Sequence, residues 1–266
     1  MQAIVAVWLL AKLFFLVPDQ TQEIPADVSI DGVYLRATIN GHVAYLHLDT
    51  GAEAIVMDPG AAARLGIAKD GVADVDIGPL HASNVRFDLL DYGKTVHGFD
   101  VVGIIGYQFF RSNPVTIDYP NHKLIVHGAD FDPGSFGPSP QPIEPIDAGK
   151  AYLVHVWFAG KRATMLLDTG DFHTILFPDF AKKVRGLYEG SVTLARFGGK
   201  TARGDVYDVS DVNFGGVLGK SAEIVVPNPA EYPPNPQYDG ILGRDLLSRV
   251  SLTIDYADSC IYVHAP

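Results

Sequence analysis

The sequence predicts an all-β protein made of two duplicated, β-rich lobes with short helices. Three observations predict it. The second half repeats the first across almost the whole chain. The apolar segments are short runs rich in Val, Ile, Thr and Tyr, broken by Gly, Pro and Asp, as strands and turns require. Each half also carries an Asp-Thr-Gly at the end of such a run. Asp49-Thr50-Gly51 follows Tyr45-Leu46-His47-Leu48, and Asp168-Thr169-Gly170 follows Met165-Leu166-Leu167.

The repeat divides the chain. Aligned on Asp-Thr-Gly, the offset is 119 residues, and Gly41 falls on Gly160 and Pro59 on Pro178. Further on it is 137. There Asp74-Val75 meets Asp211-Val212, and Gly103-Ile104-Ile105-Gly106 meets Gly240-Ile241-Leu242-Gly243. Thr116-Ile117-Asp118-Tyr119 meets Thr253-Ile254-Asp255-Tyr256, and Val126-His127 meets Val263-His264. A period this long is a domain duplication; solenoid repeats run to about 20–50 residues.

Taken in order, residues 1–27 come first. Ala3 to Val17 is apolar apart from Lys12. That is short of the roughly 20 residues of a membrane span. It reads as a secretory signal peptide with Ile24-Pro25-Ala26 as a weak cleavage site, or alternatively as an N-terminal membrane anchor. The protein is therefore expected to be secreted or periplasmic, with membrane association only through this segment. Residues 28–128 form the first lobe, 129–142 a Pro/Gly/Ser-rich linker, and 143–266 the second lobe. Short helices are expected at 59–65 and 178–185, each beginning with Pro, and a further pair after Gly106 and Gly243.

The rise in offset leaves 18 extra residues in the second half, within 186–208. Strand-like runs on either side of Gly198-Gly199 predict a β-hairpin over 191–207 that the first half has no room for.

Composition bounds the chemistry. A chain of 266 residues, 47% apolar, can bury a substantial core. The net charge of −11 argues against nucleic-acid binding, which needs a basic face. Cys260 is alone, so it makes no internal disulfide and no zinc-type pattern, and it reads as a buried, inert thiol. No cofactor or metal is expected. His47 and His173 flank the two aspartates, but no ligand spacing supports a metal site there. The matched pairs Asp118/Asp255 and His127/His264 read as structural.

Two strands that deliver an Asp into a Gly turn can bring two carboxylates together. Such a pair cannot both ionise cheaply, so it shares a proton and serves as acid and base. With Ile104-Ile105-Gly106 and Ile241-Leu242-Gly243 as partner motifs, residues 28–266 resemble the retropepsin and pepsin clan of aspartic peptidases, as two tandem retropepsin-like lobes.

The resemblance implies an aspartic endopeptidase that acts on peptide or protein substrates as a monomer. Asp49 and Asp168 would be catalytic. Thr50 and Thr169 would bond across the lobe junction, and Gly51 and Gly170 would donate N–H to the carboxylates. A hairpin flap would close over the substrate, with Phe197, Gly198 and Gly199 near its tip. Two features depart from the clan: pepsin-like enzymes carry the flap on the first lobe, and Asp171 stands where Ala, Ser or Thr is usual. Those departures keep open a rival from another class, an inactive retropepsin-like binding or scaffold protein.

Overall fold

The structure is a computed structural model, and it describes residues 19–91, 100–136, 140–146, 151–196 and 199–265. The signal or anchor expected in 1–18, and the tip residues Phe197 and Gly198, lie outside the described residues.

Each lobe is built on an eight-stranded sheet. In the first, Gly32–Ile39 and His42–Leu48 form a hairpin, and Val101–Ile105 runs parallel beside His42–Leu48. In the second, Ala151–Phe158 and Lys161–Leu167 form the equivalent hairpin, with Gly240–Leu242 parallel beside it. The two hairpin turns have the same chemistry. Asn40-Gly41 and Ala159-Gly160 all sit at positive φ, the two-residue turn whose twist matches antiparallel strands. Alternation fixes which face turns inward. In Val72–Ile77, Ala73, Val75 and Ile77 are buried and the residues between are not. Val101–Ile105 is buried along its whole length, as a central parallel strand is.

A third, six-stranded sheet joins the lobes. Val115–Asp118 pairs antiparallel with Ser251–Asp255, and Thr116 lies opposite Thr253 with their hydroxyls 2.6 Å apart. One apolar cluster runs from Ile24 through both lobes to Ile261. The two halves therefore bury a common core.

Four details differ from the sequence expectation. Gln22–Glu23 pairs with Ile125–Val126, Ala26–Ser29 pairs with Gly32–Leu35, and Ile24 is buried in the core. The folded unit thus begins before residue 28. Gln141–Pro142, at the end of the expected linker, pairs with Cys260–Ile261 in the joining sheet. The helices are shorter, Pro59–Arg64 and Pro178–Ala181. Asp58 caps the first through Ala61 N–H, whereas Phe177 has no side chain able to cap the second. The extra hairpin is longer than 191–207. Gly186–Arg196 pairs with Lys200–Phe214, and the return arm pairs in turn with Val217–Pro227.

Candidate active site

Both Asp-Thr-Gly loops leave their sheets at the same place. Asp49 N–H donates to the Ile105 carbonyl at 2.9 Å and Asp168 N–H to Leu242 at 3.2 Å. A Cβ on Gly106 would collide with the Ala52 and Asp49 carbonyls, so only glycine lets the partner strand end this close.

The two loops interlock. Thr50 N–H donates to Thr169 Oγ1 at 3.0 Å, and Thr169 N–H donates to Thr50 Oγ1 at 3.0 Å. Each hydroxyl donates onward across the junction, Thr50 to Leu167 O at 2.8 Å and Thr169 to Leu48 O at 2.9 Å. Both threonines are buried, so four hydrogen bonds without water competition hold the lobes in register.

The interlock fixes the carboxyls. Asp49 and Asp168 are half-buried and close enough that each bears on the other's proton. Each lies against the other lobe's glycine: a Cβ on Gly51 would strike Asp168, and one on Gly170 would strike Asp49. Burial, then the charge of Asp168, pushes Asp49 well above the usual carboxylate range. Burial raises Asp168 too, but less is left after its hydrogen bonds. Its Oδ1 accepts N–H from Gly170 at 2.8 Å and Asp171 at 3.0 Å, whereas Asp49 Oδ1 accepts from Gly51 alone, at 2.9 Å. The pair is asymmetric. Two N–H donors on Asp168 against one on Asp49 favour the ionised form of Asp168.

The family model for aspartyl proteases matches residues 35–104 and 154–246. The chain belongs to the aspartyl protease family. No curated protein sequence matches it. Among solved structures, an aspartic proteinase from Irpex lacteus aligns over 92% of this chain and 97% of its own, with a TM-score of 0.55 and 12% identity. Basic 7S globulin from soybean aligns over 93% and 95%, with a TM-score of 0.53 and 11% identity. At these identities the likeness is one of fold, a two-lobed pepsin-like architecture.

Three more side chains of this aspartyl protease family member bear on the pair. The Asp171 carboxyl is half-buried, and its desolvation followed by the Asp168 charge raises it to about 7. It accepts from His173 N–H at 3.1 Å. Arg244, only 6% exposed, donates to the Thr169 carbonyl at 2.6 Å and to Ile30 O at 3.0 Å, and its charge lowers both Asp168 and Asp171. Sequence reasoning missed Arg244. The signal was there in the repeat, because its counterpart after Gly106 is Tyr107. Tyr232 was missed as well. The carboxyls of Asp171 and Asp168 both act on its half-buried phenol.

Of the expected flap residues only Gly199 is described, at φ +71° in the hairpin turn. Below it, Leu194 and Ala202 face inward onto a second apolar cluster that contains Leu166 and Ile241. Leu166 lies two residues before Asp168, so the hairpin stands over the face of the sheet that leads to the pair. His47 stacks on Tyr34 with ring centroids 5.1 Å apart, and His173 packs edge-on to Phe172. Among the described residues no cluster of three His, Cys, Asp or Glu is arranged to hold a metal.

Proposed function

We propose that the protein is an aspartic endopeptidase in which Asp49 and Asp168 activate a water against a peptide carbonyl. The observation that carries this reading is the pair of carboxyls, each set against the other lobe's glycine and locked by the reciprocal threonine bonds. The unequal hydrogen bonding supports the following division of roles. Asp168, ionised, takes a proton from the water, while Asp49, protonated, donates to the carbonyl oxygen as the water oxygen attacks its carbon. Asp168 then passes its proton to the amide nitrogen as the C–N bond breaks, and Asp49 recovers its own. The substrate is a peptide laid across the lobe junction, and the 191–207 stretch of the hairpin, tipped by Phe197, Gly198 and Gly199, is the flap that covers it. One chain supplies both aspartates, so the monomer suffices. Export by the apolar segment at 3–17 belongs to the same proposal, and N-terminal sequencing of secreted protein tests it.

The test of function is cleavage of an unfolded protein in acid, blocked by a peptide bearing a hydroxyl transition-state mimic. Absence of cleavage with the mimic still bound would favour the second reading, a binding protein on this scaffold. The third carboxyl, Asp171, is the observation that favours that reading, since it burdens the pair with a further charge near neutrality.

A further inference from the structure

The hairpin is held from the side by a turn that sequence reasoning passed over. On the outgoing arm, Arg196 lies over the Tyr232 ring, 4.5 Å from its centroid, and donates to the Glu231 carbonyl at 2.5 Å. On the return arm, Arg203 N–H donates to Glu231 Oε2 at 2.7 Å, and its carbonyl accepts from Asn228 N–H at 2.8 Å. One short turn therefore grips both arms just below the tip. The outgoing arm is the edge strand of its sheet and pairs only with the return arm among the described strands, so this grip is its other restraint.

Tyr232 also faces inward. Its ring packs near Phe177 and joins the small apolar cluster with Leu166 and Ile241, beneath the hairpin and beside the aspartate pair. The charges of Asp171 and Asp168 reach its phenol. A rigid, backed aromatic face is a good seat for a guanidinium, whose attraction to it holds best where water is partly excluded.

We propose that Tyr232 is a positioning residue that sets the hairpin over the aspartate pair through its stack with Arg196. The inference rests on the peptidase reading for its catalytic consequence. Opening the hairpin to admit a peptide breaks the stack, and closing remakes it, so the contact tunes how firmly substrate is held while leaving the reacting groups untouched.

Two readouts on the full chain test it: steady-state cleavage of an unfolded-protein substrate, and hydrogen–deuterium exchange of the hairpin amides around Leu194 and Ala202. Arg196→Met and Tyr232→Leu each raise KM about five- to tenfold with kcat within about twofold, and each speeds exchange on both arms. Tyr232→Phe and Arg196→Lys keep the ring or the cation and restore most of the wild-type behaviour. The double variant raises KM by clearly less than the product of the two single effects, because both lose the shared stack. Unchanged exchange in Arg196→Met, additive KM effects, or a fall in kcat with KM unmoved would each overturn the proposal. Should Tyr232→Leu fail to fold, the partly exposed Arg196 decides. A wild-type protein that cleaves nothing, with the exchange effects intact, would sink the peptidase reading and leave the strap standing.

Discussion

Two residues before its aspartate the first lobe has His47, and the second lobe has Leu166. Their cross-strand partners are Tyr34 and Leu153, which also correspond in the repeat. In the first lobe this patch is a stacked Tyr–His pair, and the described residues there add no counterpart of the Gly186–Phe214 hairpin. In the second it is the floor of an apolar cluster roofed by Leu194 and Ala202 of the hairpin. The same contrast recurs at Ala52 against Asp171 and at Tyr107 against Arg244. Yet Thr50 and Thr169 make the same bonds at nearly the same distances. The duplication has kept its symmetry where two loops must fit each other. It has lost it at the hairpin, where the proposed peptide would be held, and around Asp168, where the hydrogen bonding of the two carboxyls differs.

The comparison can be broken first at the aspartates. Asp49→Asn and Asp168→Asn are each expected to lower kcat/KM by at least about a thousandfold with the fold retained. A variant that keeps most of its activity would show that only one lobe does chemistry, and steady-state kinetics on refolded protein decides.

The threonine interlock is the next test of symmetry. Thr50→Val and Thr169→Val each strand a buried N–H and a buried carbonyl, which costs about 2–4 kcal/mol. Denaturant unfolding should give similar losses from the two sides. A clear difference would mean that the lobes lean on the junction unequally.

Arg244 sharpens the asymmetry. Its charge holds Asp168 down, so Arg244→Met raises the Asp168 pKa and moves the acid limb of the pH–rate profile to higher pH, in a protein that also loses stability. Tyr107→Phe at the matching position should leave that limb in place. Equal shifts in the two variants would remove the reason for assigning the anion to Asp168.

Asp171 should give the smallest effect. Its carboxyl keeps its proton up to about pH 7, so its charge bears mainly on the basic limb, and Asp171→Ser should move that limb to lower pH and the acid limb less. The sign for stability follows from the same shift. A carboxyl raised from 3.8 to about 7 binds its proton more tightly when folded, so its burial costs nothing extra below the lower value and its full penalty above the higher one. Melting scans should show Asp171→Ser gaining on the wild type, by a few degrees or of order 5 °C, only as pH rises through that window. A constant difference at all pH values would mean that the titrating group is another one.

Much of the site was legible in the chain. Asp49, Thr50 and Gly51 recur at one offset beside partner motifs that recur at another, and only a pair of packed, equivalent loops puts such residues to use together. The extra hairpin was legible too, as a surplus between two alignable stretches. Its length was not, because strand ends are set by what they pair with, and the return arm runs on along Val217–Pro227.

Arg244 shows why the rest was hidden. An arginine after a glycine reads as a solvated side chain, and nothing local says that it will be buried against Thr169 O, 75 residues away. Tyr232 and Glu231 sit in a Pro- and Asn-rich loop whose composition speaks only of a turn. Gln22–Glu23 follows the apolar run at 3–17 and reads as part of a segment to be discarded, yet it pairs with a strand about a hundred residues later. Periodicity, turn chemistry and the repeat are local or self-referential signals, so the sequence by itself determined the strands, the two lobes and the identity of the paired aspartates. Which aspartate is better placed to ionise, what surrounds Asp171, and what holds the hairpin depend on electrostatics and contacts between segments far apart in the chain. Those energies exist only once the two lobes are packed, and so only the tertiary structure decided them.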